Sequence, residues 1–143
     1  MDSNITAKRI VMGVIGHDIH VVSNRIIAIA LREFGYEVCN LGVDNSAENF
    51  LDAAIEFEAD AVVVSSLNGE AEHWCNNFGP LFKNADKEHV YRYLGGNLIV
   101  GNKPVEEVVD EFLKFGFHRV FHRPPNLDIL FESLKIDMLN GKS

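Results

Sequence analysis

The chain has 143 residues, of which 47% are hydrophobic and 24% are charged, and its formal net charge is −8. This composition predicts a single globular domain over residues 1–143 and argues against disorder. The acidic balance argues against a nucleic-acid partner, which would require a basic face. The sequence contains no apolar signal core and no uncharged run of 18 residues. We therefore expect a cytoplasmic protein with no membrane partner.

Strand-like and helix-like segments alternate from the first apolar run onward. Residues 9–15, RIVMGVI, are apolar and rich in β-branched side chains, which is typical of a strand buried on both faces. A helix is predicted to begin at about Asn24 and to stop at Gly35. Its inner face is predicted from apolar residues at helical spacing, namely Ile27, Ala30, Leu31 and Phe34.

The alternation continues through the middle of the chain. Residues 37–43, EVCNLGV, predict a second strand, and Ser46 is a good N-cap for the next helix. The apolar side chains of that helix are Ala47, Phe50, Leu51 and Ala54. Residues 60–67, DAVVVSSL, are the most strand-like segment. A helical stretch follows them and is predicted to break at Gly79 and Pro80.

The last third of the chain predicts two further strands and two further helices. The strands are residues 90–96, VYRYLGG, and residues 119–122, RVFH. Between them, Pro104 opens a helix at a position where proline is favoured. The inner face of that helix comprises Val105, Val108, Val109 and Phe112. The final helix carries Leu127, Leu130, Phe131 and Leu134.

This order of elements predicts a fold. Five strands that alternate with helices imply a parallel sheet, because each crossover is a helix lying on one face of the sheet. We predict a flavodoxin-like (Rossmann-type), doubly wound α/β fold with five strands in the order 2-1-3-4-5. Ligands of such sheets bind at the carboxyl ends of the strands, near the point where the strand order reverses.

The turn after the first strand, GHDIHVVSN, is rich in titratable groups and has three interpretations. In the first, its polar residues cap the next helix, with Asp18 or Ser23 accepting from free N–H groups. In the second, His17 and His20 bind zinc or iron, although the remaining histidines form no partner motif. In the third, one histidine binds a metal and Asp18 orients its other ring nitrogen. The turn alone leaves all three open.

Small residues follow the third and fourth strands. The third strand ends in Ser65, Ser66 and Leu67, and the fourth ends in Gly95 and Gly96. Small residues at two neighbouring strand ends leave a slot between the sheet and a helix, where larger side chains would otherwise fill the space. A slot beside a ligating histidine suits a long cofactor that inserts a tail into the protein.

Together these elements resemble the cobalamin-binding family, whose pattern is Asp-x-His-x-x-Gly, then Ser-x-Leu, then Gly-Gly. The corresponding residues here are 18–23, 65–67 and 95–96. The segments GVIGHDIH, GYEVCNLGV, ADAVVVSSLNGE and YLGGNLIVG further resemble the small subunits of glutamate mutases (methylaspartate mutases), over nearly the whole chain. One departure is Ser23, which stands where the pattern has glycine.

The resemblance implies roles for these residues. His20 would be the lower axial ligand of cobalt and would displace the dimethylbenzimidazole base of the cofactor, with Asp18 on its other ring nitrogen. The displaced tail would lie in the slot and pass Ser23. The resemblance places the tail against Ser65, Ser66, Leu67, Gly95 and Gly96. The remaining contacts with the corrin edge and tail would come from His17, Ile19, Val21, Asn97, Leu98, Ile99, Val100 and Gly101.

The resemblance also implies a reaction and a partner. The cofactor would be adenosylcobalamin, whose cobalt–carbon bond breaks homolytically, and the reaction would convert glutamate to 3-methylaspartate. The sequence has no arginine cluster to hold two carboxylates, because Arg25 and Arg32 are predicted on a helix surface, and Arg119 and Arg123 have no assigned position. A larger, barrel-type subunit would therefore bind the substrate, with two copies of each chain in the assembly.

Other functions share this fold. A corrinoid methyl carrier of a methyltransferase is one alternative, but such carriers tend to have a helical cap before the cobalamin domain, and only eight residues precede the first predicted strand. A non-enzymatic module that senses cobalamin is another alternative. A receiver-like module is disfavoured, because it would need an acidic group after the third strand, where this chain has serines.

Overall fold

The structure is a computed structural model that describes residues 8–16 and 22–140. The strands are β1 (Arg9–Val14), β2 (Glu37–Asn40), β3 (Ala61–Ser66), β4 (Tyr91–Gly96) and β5 (Arg119–His122). The helices are α1 (Val22–Glu33), α2 (Ala47–Phe57), α3 (Ala71–Cys75), α4 (Phe78–Asn84), α5 (Val105–Leu113) and α6 (Asp128–Asn140). All strand pairs are parallel, and their order is β2-β1-β3-β4-β5. The predicted fold and strand order are confirmed.

Helices cover both faces of the sheet, and each face has its own apolar core. Helices α1 and α6 pack on one face, through residues such as Leu31 and Leu134. Helices α2 to α5 pack on the other face, where a cluster of aromatic rings includes Phe50, Phe78 and Phe112. Because β1 and β3 are buried on both faces, their side chains form nearly continuous apolar runs rather than an alternating pattern.

One predicted helix boundary differs from the structure, and another is confirmed. The interruption after β3 lies at Asn76 and Asn77, between α3 and α4, and not at Gly79 and Pro80. Pro80 instead lies in the first turn of α4, where its missing N–H has no intrahelical acceptor to lose. The predicted N-cap of α2 is confirmed, since the Ser46 hydroxyl accepts the N–H of Asn49 at 3.2 Å.

Helix α1 begins at Val22, earlier than predicted, and ends at Glu33. Phe34 therefore lies beyond the helix and is 59% exposed, with its ring edge-on to Phe131. Gly35 has a φ of +96°, which explains why the helix stops there. Ala28 is buried, whereas the predicted Ala30 is half-buried, so the inner face of α1 includes Ala28 beside Ile27 and Leu31.

The strands β4 and β5 are tied to α6 by a buried polar group. Asp137 accepts two hydrogen bonds from Arg119, at 2.8 and 2.9 Å, and a further hydrogen bond from the Tyr93 hydroxyl. The Arg119 guanidinium lowers the pKa of Asp137, and burial raises the pKa of Tyr93. This network fixes α6 across the end of the sheet.

Both cysteines are free thiols. Cys75 is buried in the aromatic core, and burial raises the pKa of its thiol, whereas Cys39 is half-buried. None of the helices in the described part of the chain combines the length and the apolar character needed to span a bilayer.

Candidate functional site

A cavity of about 280 Å³ opens at the carboxyl ends of β3 and β4, on the face covered by α1 and α6. Most of the residues that line it are apolar, and two of them are glycines. The residues are Ser23, Ile27, Val63, Val64, Ser65, Leu67, Tyr93, Leu94, Gly95, Gly96, Phe121, Arg123, Pro124, Asn126, Leu127, Ile129 and Leu130. The cavity therefore lies where the strand order predicted a ligand site.

The cavity exists because β4 ends in two glycines. Gly95 pairs with Ser65 and lies on the same face of the strand as Tyr93, so that no side chain extends from it into the cavity. A Cβ added to Gly95 would meet Phe121 at ordinary distances of 3.6 to 3.9 Å. The space at this position is therefore open, and a larger side chain would fill the cavity.

Gly96 is required for a different reason. Its φ is +130°, and an added Cβ would lie 2.3 Å from the carbonyl oxygen of Ser66 and 3.0 Å from Leu67 Cδ2. Such a conformation is almost confined to glycine. Gly95 thus provides the room for a ligand, and Gly96 provides the turn that ends the strand beside it.

The loop of residues 97–101 is held against the segment that follows β3. The Gly69 N–H donates to the carbonyl of Asn97 at 3.0 Å, and the Ala71 N–H donates to the carbonyl of Leu98 at 3.3 Å. Leu98 is buried, whereas Val100 is 77% exposed. The loop is thus anchored by its backbone and presents an apolar side chain to solvent at the carboxyl edge.

His122 holds the same loop from the other side. Its Nδ1 accepts the N–H of Leu98 at 3.2 Å, so the neutral ring carries its proton on Nε2, which is buried and has no hydrogen-bond partner among the described residues. Burial lowers the pKa of His122, and the neighbouring Arg123 lowers it further. The ring therefore stays neutral at neutral pH.

Five of the predicted tail-binding residues line the cavity, namely Ser23, Ser65, Leu67, Gly95 and Gly96. Ser66 does not line it, because adjacent side chains of a strand point to opposite faces. Asn97, Leu98, Ile99, Val100 and Gly101 form the anchored loop beside the cavity. Arg25 and Arg32 are exposed, as predicted.

The predicted metal-binding turn lies outside the described residues. This applies to His17, Asp18, Ile19, His20 and Val21. Among the residues that the structure does describe, no group of three histidine, cysteine, aspartate or glutamate side chains could hold a metal ion.

The sequence did not indicate the contributions of Tyr93 in β4 and of the last strand and helix. Tyr93, Phe121, Ile129 and Leu130 complete the wall of the cavity. Arg123 had no assigned position, yet it directly follows β5 at the carboxyl edge and is the one formally charged residue among the described lining residues. Its position after a predicted strand was the signal that could have placed it.

Comparison with known proteins identifies similar sequences. The B12 binding domain family matches residues 8–117. The glutamate mutase sigma subunit 2 of Haloarcula marismortui is 41% identical over 131 residues, which cover 92% of this chain and 88% of that one. The glutamate mutase sigma subunit of Carboxydothermus hydrogenoformans is 42% identical over 129 residues, which cover 90% and 94% of the two chains.

Solved structures show the same fold. A cobalamin-binding protein from Desulfitobacterium hafniense aligns with a TM-score of 0.70 at 19% identity, over 96% of this chain and 60% of that chain. The signal receiver domain of NarL from Mycobacterium tuberculosis aligns with a TM-score of 0.58 at 13% identity, over 96% and 98% of the two chains. At these identities the alignments show a shared architecture only.

Proposed function

The chain belongs to the B12-binding domain family and, within it, to the glutamate mutase sigma subunits, and from this we propose that it is the cobalamin-binding subunit of an adenosylcobalamin-dependent carbon-skeleton mutase. The observation that carries the proposal is the cavity beside Gly95, which lies at the carboxyl ends of β3 and β4 and is lined mainly by apolar groups.

The cavity fits one part of the cofactor. Its volume of about 280 Å³ lies near the lower end of the range for small-molecule pockets, so it can admit the nucleotide tail of cobalamin but not the corrin ring. A flat aromatic base would pack against Tyr93 and Phe121, while Ser65 offers a hydroxyl group. The corrin would then lie outside the cavity, over the carboxyl edge of the sheet.

We assign the axial ligand to the turn between β1 and α1. His20 would bind cobalt, and Asp18 would orient the other ring nitrogen of His20 and raise its basicity. This assignment is supported by the resemblance to the family pattern. It is also supported by the residues that flank the turn, because Gly16 follows the carboxyl end of β1 and Val22 directly precedes Ser23, which lines the cavity.

When bound, adenosylcobalamin supplies an organic radical by homolysis of its cobalt–carbon bond. The residues of this chain would hold the tail, exclude water from the cavity and keep the axial imidazole oriented. The relatives are named as glutamate mutase subunits, and we propose that the reaction converts glutamate to 3-methylaspartate, the product that the resemblance implies. We also propose a cytoplasmic location.

A partner subunit should complete the site. Val22 is 71% exposed, Val100 is 77% exposed and Ile129 is 50% exposed, and all three lie at the carboxyl edge or on the rim of the cavity. One small domain would leave most of the corrin in solvent, so a second chain should cover it. We propose a larger barrel-type subunit that binds the amino acid, with two copies of each chain.

The visible absorption spectrum of adenosylcobalamin with the purified chain, alone and with a barrel-type mutase subunit, tests the proposal. We expect a spectrum of nitrogen-ligated cobalt with the cofactor base displaced, and we expect its loss in His20→Ala. Unchanged spectra of the wild type with both subunits present would overturn the proposal. Binding without turnover on glutamate would instead favour a sensing module.

A pair of glycine variants tests the cavity itself. Gly95→Leu should fill the space and abolish binding of cobalamin while the chain stays folded, whereas Gly95→Ala serves as the control with a small side chain. Equal affinity of the wild type and Gly95→Leu would show that the tail lies elsewhere. Ser23→Gly restores the family pattern at the rim and should bind cobalamin at least as tightly as the wild type.

A further inference from the structure

Arg123 holds an unusual backbone conformation at the rim of the cavity. It directly follows β5, and its φ is +50°, in the left-handed region that residues with side chains seldom adopt. Its N–H donates to the carbonyl of Gly96 at 2.7 Å, so the chain bends towards the glycine turn that ends β4. Such a conformation persists only where the surroundings determine it, and these positions cluster at ligand sites.

The side chain of Arg123 is fixed by one loop. Nε donates to Asn97 Oδ1 at 2.7 Å, Nη1 donates to the carbonyl of Gly101 at 3.0 Å, and Nη2 donates to the carbonyl of Ile99 at 3.0 Å. A guanidinium group has five N–H donors, so two remain for another acceptor. The guanidinium group is therefore fixed in position and still has two N–H groups that can donate to a ligand.

Arg123 is exposed at the rim and carries the single formal charge among the described residues that line the cavity. The other described lining residues are neutral, and no carboxylate among the described residues pairs with this guanidinium. The whole chain has a net charge of −8, so Arg123 places a positive charge at the rim of a protein that is acidic overall. An anionic ligand group that enters this cavity would meet one complementary charge, and it would meet it at Arg123.

We propose that Arg123 is the ligand-recognition residue for the phosphodiester of the cofactor's nucleotide tail. This inference rests on the proposed function, because it assumes that the cavity admits that tail. The two spare N–H groups would donate to the phosphodiester oxygens, and the three bonds to residues 97–101 would pre-organise the fork before the ligand arrives. Arg123 thereby confers preference for a corrinoid that carries the tail.

The test compares two corrinoids that differ in the tail. Dissociation constants are measured for cobalamin and for cobinamide, which lacks the nucleotide, with the wild type, Arg123→Gln and Arg123→Lys. Arg123→Gln should weaken binding of cobalamin by about tenfold or more, the usual effect of losing a charge-assisted hydrogen bond, and should change binding of cobinamide by less than about twofold. Arg123→Lys keeps the charge but loses the forked guanidinium, and its affinity for cobalamin should lie between those of the wild type and Arg123→Gln.

Arg123→Gly serves as a folding control, because glycine relieves the positive φ. It should remain folded, because relief of the positive φ offsets part of the loss of three exposed side-chain hydrogen bonds, and it should still lose the preference for cobalamin. If the variants lose affinity for both corrinoids equally, Arg123 only supports the loop, and the recognition role is wrong. The role is also wrong if the wild type binds both corrinoids and the preference is unchanged in every variant. A wild type that binds neither corrinoid, even with the barrel-type mutase subunit present, would overturn the proposed function, and the inference with it.

Discussion

Single substitutions at the two glycines of β4 test whether Gly96 is needed for the fold and Gly95 only for the space that a ligand would occupy. In Gly96→Ala the new Cβ would lie 2.3 Å from the Ser66 carbonyl oxygen, at a φ of +130°. The backbone strain costs about 1–3 kcal/mol, and relief of the overlap costs a similar amount. The total, about 2–6 kcal/mol, is a large share of the stability of a domain of this size. The melting temperature should fall by roughly 6 to 18 °C.

Gly95→Ala is the matched control, because its Cβ meets Phe121 only at ordinary contact distances. Its melting temperature should stay within about 2 °C of the wild type, since the lower entropy of the unfolded chain offsets any small packing cost. Thermal and urea unfolding followed by circular dichroism measure both variants. Equal stability of Gly96→Ala and Gly95→Ala would refute the reasoning, because it would show that the turn at Gly96 tolerates a side chain.

Two further variants test the polar contacts around β4 and β5. Asp137→Asn weakens the hydrogen bonds from Arg119 and Tyr93 and should reduce the free energy of unfolding by about 2 kcal/mol at pH 7. In the folded state the pKa of Asp137 lies below its ordinary value of 3.8, so the difference in stability between wild type and variant should persist above pH 3.8 and shrink below it. A difference in stability that stays constant down to pH 2 would contradict the assignment. His122→Asn keeps an acceptor for the Leu98 N–H but cannot titrate in this range. The pKa of His122 is lowered from 6.5, so the unfolded chain binds more protons below that pH, and the wild type should lose stability there while the variant loses less. Parallel curves of melting temperature from pH 7.5 to 5 would show that His122 does not titrate in this way.

The elements that the sequence predicts well are those whose signal is local. The apolar run that ends in Ser65 and Ser66 identifies β3 because a strand buried on both faces has no alternating pattern. Ser46 identifies the start of α2 because a hydroxyl at that position caps the free N–H groups of the helix. The strand order then follows from general rules for parallel sheets, and with it the edge where the cavity lies.

The features that the sequence does not predict depend on contacts between distant segments. Tyr93, Arg119 and Asp137 meet only when α6 has packed against the sheet, and no spacing between them indicates this. Arg123 is placed by its bonds to the loop of residues 97–101, which are equally non-local. Phe34 was misplaced because its helical spacing matched the pattern, although Gly35 ends the helix before that position.

The order in which the ribosome releases the chain sets when this cavity can first form. The parts of its wall contributed by α1 and β3 are synthesised in the first half of the chain, but Arg123, Ile129 and Leu130 come near the other end. A nascent chain that has formed β1, β2 and β3 therefore has an open apolar face and no ligand cavity. The geometry thus makes capture of the ligand a late event, which follows synthesis and docking of α6 and cannot guide the earlier steps of folding.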